Sequence, residues 1–145
     1  MATNYISADE LAALVRDPTK TPGTDYLVVD VRDEDYHGGH IPGAINVPAH
    51  HVRDRAPELA AKYASVPTLV FHCALSQVRG PKSARIYNET VRSGSENAPE
   101  NGSLVHDQQQ VLVLRGGFNS WLHRFKDTEP ALIEAYDASV PRDDF

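Results

Sequence analysis

A chain of 145 residues with 41% hydrophobic content is large enough to bury one core without disulfides or a metal, so a single domain over residues 1–145 is expected. A formal charge of -6 excludes the broad basic surface that nucleic-acid binding needs, and any anion site must therefore be local. No apolar stretch nears the ~20 residues of a membrane span, the first nine residues lack a signal core, and the one cysteine suits a reducing cytoplasm or nucleus, with no membrane partner expected.

Ser7-Ala8-Asp9-Glu10 has the form of a capping box and predicts a short helix that ends near Asp17-Pro18. Tyr26 to Val31 is short and β-branched, which predicts a buried strand whose carboxyl end delivers Arg32, Asp33 and Glu34. The glycines and proline of Gly38 to Ala44 form a loop, and Ala44 to Val47 reads as a short second strand. Residues Ala49 to Ala64 suit a helix, with Pro57 expected to divide it in two. Thr68 to Phe71 is an apolar strand entering His72-Cys73, and Gly80-Pro81 opens a helix through about Val91.

Residues 93–103 are small, polar and without periodicity, and predict a mobile surface insertion. Val111 to Leu114 is the last strong strand. Gly116-Gly117 then turns the chain into a helix whose Phe118, Trp121 and Phe125 fall at helical spacing and should pack it onto the sheet. Strands separated by helices predict an α/β, three-layer fold: a mainly parallel sheet of about five strands flanked by helices. Ligands of such sheets bind at the carboxyl ends of strands, where Cys73 stands.

A lone cysteine is ordinarily a small buried hydrophobe. Here a strand, a cysteine, five residues, an arginine, then Gly-Pro and a helix form the arrangement that wraps backbone N–H groups around a tetrahedral anion. In this reading Ala74, Leu75, Ser76, Gln77 and Val78 supply the amides. Arg79 closes the ring with a planar fork that bonds two oxygens at once, and the same donors favour a thiolate at Cys73. Ser76 either bonds the thiolate, positions water or simply fits a tight turn.

At these residues the chain resembles the rhodanese superfamily, and within it the cell-division-cycle twenty-five type (M-phase inducer-like) dual-specificity phosphatases and the fungal and plant arsenate reductases. The resemblance rests on Leu27 to Arg32, Gly39 to Ala44, Phe71 to Pro81 and Val113 to Phe118, in that order. It implies a rhodanese-like fold, Cys73 as nucleophile and Arg79 as oxyanion clamp. It also implies, for this loop length, an oxyanion rather than the persulfide sulfur of sulfurtransferases, whose loop is one residue shorter. The family's phosphatases carry acids directly after the cysteine and before the arginine, where this chain has Ala74 and Val78. Asp33, Glu34 and Asp35 are then the candidate general acids, against the alternative of a solvated charged loop.

The resemblance implies a phosphorylated protein or small aryl phosphate as substrate, attacked to give a phosphocysteine. The rival is arsenate, reduced with an external thiol such as glutathione and with glutaredoxin as partner, since no second cysteine can resolve the adduct. Sulfur transfer and a non-catalytic binding module are further alternatives. No cofactor and no metal are expected: His37-x-x-His40 and His50-His51 lack the cysteines of structural zinc sites. His72 is expected to support the loop, Asp30 to bond loop amides or an arginine, and Lys82 with Arg85 to give the following helix a basic side.

Overall fold

The computed structural model describes residues 3–97 and 109–140. Five strands, β1 (Tyr5–Ile6), β2 (Leu27–Asp30), β3 (Ile45–Asn46), β4 (Thr68–His72) and β5 (Gln110–Leu114), pair in parallel in the order β1-β5-β4-β2-β3. Four helices surround them among the described residues: α1 (Ala8–Arg16), α2 (Val52–Lys62), α3 (Arg79–Asn97) and α4 (Gly117–Phe125).

Period-two alternation along the strands splits the apolar residues between the two faces of the sheet. Leu27, Val29, Leu69, Phe71 and Val113 pack with Val52 and Leu59 of α2 and Ala84, Ile86 and Tyr87 of α3. Val28, Val70 and Leu114 pack on the opposite side with Leu11 of α1 and Phe118, Trp121, Leu122 and Phe125 of α4. This is the three-layer arrangement expected for a sheet whose strands are apolar on both sides. The expected α4 aromatics thus hold that helix to the sheet, and the Trp121 indole N–H also donates to the Leu132 carbonyl at 2.8 Å.

The capping box forms as expected: the Glu10 N–H donates to Ser7 Oγ, and the Ser7 N–H donates to the Glu10 carboxylate. Three expectations need correction. Pro57 does not divide its helix; it lies inside α2, and the break falls earlier, where a 3-10 turn over Ala49–His51 feeds the α-helix. The roughly 3 kcal/mol penalty of an interior proline is outweighed by burial of Val52, Ala56, Leu59 and Ala60 on one side of the helix. The third helix passes Val91 and runs to Asn97, so residues 93–97 of the expected surface insertion are helical, and the rest of that insertion lies outside the described residues. Lack of an apolar side does not stop a helix already nucleated by its packed half, and Gly94 costs only about 1 kcal/mol. Strand β1, two residues long, carried no periodic signal and was not expected.

Candidate active site

Strand β4 ends at His72 and α3 begins at Arg79, so residues 73–78 form the connection at the carboxyl edge of the central strands. Cys73 is fully buried at its base, while Gln77 and Val78 stand exposed on the rim. The Gly80 N–H donates to Cys73 Sγ at 3.2 Å, which fixes the sulfur at the start of α3. Any side chain at Gly80 would press to 3.3 Å from the Cys73 backbone nitrogen, which accounts for a glycine directly after Arg79. Ser76 takes a left-handed φ of +57°, the bend that turns the loop back toward α3.

The first turn of α4 fixes the other side of the loop. The Phe118 N–H donates to the Cys73 carbonyl and the Asn119 N–H to the Ala74 carbonyl, both at 2.9 Å. In a trans peptide the N–H points opposite its carbonyl, so the N–H groups of Ala74 and Leu75 are directed away from α4. Gly117 makes this contact feasible: its φ is +63°, and a Cβ there would lie 2.4 Å from the Ala74 oxygen. In the sequence Gly116-Gly117 signals a turn, and the doublet also permits this close approach.

Arg79 is 8% exposed, and its guanidinium faces the turn after β2. Its Nη2 donates to Asp35 Oδ2 at 3.4 Å, and Nη1 lies 4.0 Å from Asp33 Oδ2. Of the three candidate acids the structure therefore brings Asp33 and Asp35 to Arg79. Glu34 is exposed and forms no ion pair among the described residues. Asp35 is 4% exposed, and its Oδ1 accepts no hydrogen bond from any described residue.

Beneath the loop lies a buried polar cluster. Parallel register places Asp30 beside His72. Arg32, fully buried, donates to Asp30 from Nε at 3.0 Å and Nη2 at 2.7 Å, and to the Gly39 carbonyl at 2.7 Å. Its Nη1 reaches the Asp35 carbonyl at 3.3 Å, and its guanidinium sits 4.1 Å over the Phe118 ring. One side chain thus ties the strand end to the turn that presents Asp35 and to the α4 residue that anchors Cys73. The expected structural role of Asp30 toward an arginine is what this geometry shows.

His72 Nδ1 lies 3.1 Å from the Cys73 carbonyl, which can only accept, so this nitrogen carries a proton. The histidine braces the loop, as expected. Burial pushes its pKa below the ordinary histidine value, against the opposing pull of Asp30. Burial works the other way on Asp30, yet His72 and the Arg32 guanidinium outweigh it and hold that carboxyl below the usual range.

A buried histidine kept neutral makes stability depend on pH in one direction. The unfolded chain takes up a proton as pH falls through about 6.5 while the folded chain resists it, so stability is full above that pH and declines below it. The Asp30 contribution is likewise full above about pH 4 and is lost only as pH falls further. Urea midpoints are expected to drop between pH 7.5 and 5, with a shallower slope in His72→Gln; parallel slopes in the two proteins would contradict this assignment.

Two of the other histidines are engaged elsewhere. His40 pairs with Glu134 at 2.9 Å and stacks on Tyr36, while His50 lies 3.4 Å from Asp33. No three metal-ligating side chains converge among the described residues. Lys82 is exposed, and Arg85 lines a small separate groove with Asn88, Glu89 and Arg92, away from Cys73. No helix among the described residues is long and apolar enough to cross a membrane.

Known proteins resemble this chain over most of its length. Arsenate reductase 2.2 of Oryza sativa subsp. japonica is 38% identical over 119 residues, which span 81% of this chain and 81% of its own. Dual specificity phosphatase ibp1 of Schizosaccharomyces pombe is 33% identical over 141 residues, 92% of this chain and 97% of its own. Among solved structures, a yeast protein tyrosine phosphatase of the rhodanese family superposes with a TM-score of 0.69 at 26% identity, covering 94% of this chain and 95% of that one. Residues 7–124 match the rhodanese-like domain, and the chain belongs to that family.

Proposed function

We propose that this chain is a one-domain, cysteine-dependent phosphatase for aryl phosphates, including phosphotyrosine in proteins. The observation that carries the reading is the buried Cys73 sulfur, which accepts the Gly80 N–H at the base of a loop closed by Arg79. In the first step sulfur attacks phosphorus, an S–P bond forms and the P–O bond to the leaving group breaks. Arg79 and the amides of Ala74 to Val78 hold the equatorial oxygens, where charge accumulates. Water then attacks phosphorus, inorganic phosphate departs and the thiolate returns. The cycle consumes no electrons and uses no cofactor.

Proton supply to the leaving oxygen is the weak part of the site. Asp35 faces Arg79 as an acceptor, Asp33 is half exposed beside the same guanidinium, and Glu34 points to solvent. General acid catalysis contributes about 10²–10⁴-fold where an acid is well placed. Hydrolysis of p-nitrophenyl phosphate is therefore expected to exceed that of an alkyl phosphate such as glycerol phosphate by about 100-fold or more in kcat/KM. Comparable turnover of the two esters would mean that one of these acids does reach the leaving oxygen.

A second reading is favoured by the 38% identity to a protein named arsenate reductase. Cys73 would attack arsenate with loss of water. The two electrons that take arsenic from the +5 to the +3 state would come from thiols outside the chain, such as glutathione acting with glutaredoxin, because the chain has one cysteine. Phosphate release and glutathione-dependent arsenite formation, assayed on one preparation, separate the readings. A reducing compartment, cytoplasm or nucleus, fits either.

A further inference from the structure

The turn that supplies Asp35 to Arg79 also lines an open cleft of about 720 Å³, whose walls include Asp33, Glu34, Asp35, His37, Asn46 and His50. Three carboxylates therefore line a cleft that adjoins the loop through Arg79, although no residue of the loop itself is among its walls. Within the site, Arg79 is shared by two of them, at 3.4 and 4.0 Å. Asp35 is almost wholly buried in that wall with one oxygen that no described residue bonds.

A phosphoryl dianion that engages the fork of Arg79 takes that cation from Asp35 and Asp33. It leaves two carboxylates close to two added negative charges, well inside the ~8 Å over which physiological salt screens. A ligand that brings its own cation reverses the balance: its guanidinium or ammonium takes over the carboxylates while its phosphate takes over Arg79. Resting on the phosphatase reading, we infer that the cleft selects phosphotyrosine peptides with an arginine or lysine next to the phosphorylated residue. The exchange gives exposed Asp33 a cation in place of Arg79, brings one to exposed Glu34, and leaves no charge at the cleft surface facing its like. Free oxyanions, which carry no cation, gain nothing from the cleft and bind weakly by comparison.

Cys73→Ser, which cannot turn its ligand over, permits a direct test by fluorescence anisotropy. Matched phosphotyrosine peptides flanked by arginine, alanine or glutamate are titrated in low salt, with the unphosphorylated arginine peptide as control. The arginine peptide is expected to bind about tenfold or more tightly than the glutamate peptide, with the gap narrowing as salt rises. Adding Asp33→Asn and Glu34→Gln to the Cys73→Ser protein is expected to bring the ratio below about threefold. Equal binding of the two phosphopeptides, a gap unchanged by the added substitutions, or no phosphopeptide binding at all overturns the inference. Phosphate release by the unsubstituted enzyme is scored separately: a binding preference without hydrolysis overturns the phosphatase reading and not the charge selection.

Discussion

Cys73→Ser is expected to lower phosphatase turnover on the order of 10⁴-fold or more while leaving the fold intact. The two parts of this expectation have different causes. Serine is a far weaker nucleophile at neutral pH, and the structure offers its hydroxyl no base: His72 carries its Nδ1 proton toward the Cys73 carbonyl, and its other nitrogen faces Asp30. The fold survives because oxygen fits the space of sulfur and still accepts the Gly80 N–H. Loop shape is set by backbone contacts to Phe118 and Asn119 that the substitution does not touch. Steady-state kinetics and a urea melt on the same protein check both parts. Substantial residual turnover would remove Cys73 from the mechanism, whereas loss of activity together with loss of structure would make its role architectural.

Arg32→Met is expected to be the most damaging substitution away from the sulfur, costing about 3–5 kcal/mol of stability. The wild-type pair is fully buried, so removal of the guanidinium leaves the Asp30 carboxylate in the interior without its main cation and strands the Gly39 and Asp35 carbonyls. Against a typical total of about 5–15 kcal/mol this brings many domains to the edge of unfolding. Asp30→Asn combined with Arg32→Met, which removes both charges, is expected to recover part of the loss, because an uncompensated buried charge is the larger penalty. Denaturant midpoints of the single and double variants form the comparison. A double variant that is less stable than Arg32→Met would show that packing over Phe118, rather than charge, dominates.

Much of this arrangement was legible in the residues. The capping box, the parallel sheet with helices on both sides and the cysteine-to-arginine spacing are local signals, and each is written within a short window of sequence. What escaped notice depended on contacts distant in the chain. Nothing around Asp35 distinguishes it from Asp33 and Glu34, because its burial against Arg79 arises 44 residues away. Strand β1 is too short to show a period and exists through pairing with β5. At Pro57 the usual effect of an interior proline is overridden by neighbouring burial. The role of Gly117 lies in the loop it approaches and not in the helix it begins.

The anchoring of the cysteine loop from α4 has a consequence for how such a site changes over time. Its curvature is held by backbone hydrogen bonds from outside and by glycines that permit close approach. The side chains of Gln77 and Val78 on the exposed rim take no part in that support. Scaffold and side chain are thereby separated at the rim: Val78 can change without touching the contacts that hold the loop, whereas buried Ala74 cannot. Exchange at an exposed rim position can in this way alter the chemistry offered by the loop while its shape is kept.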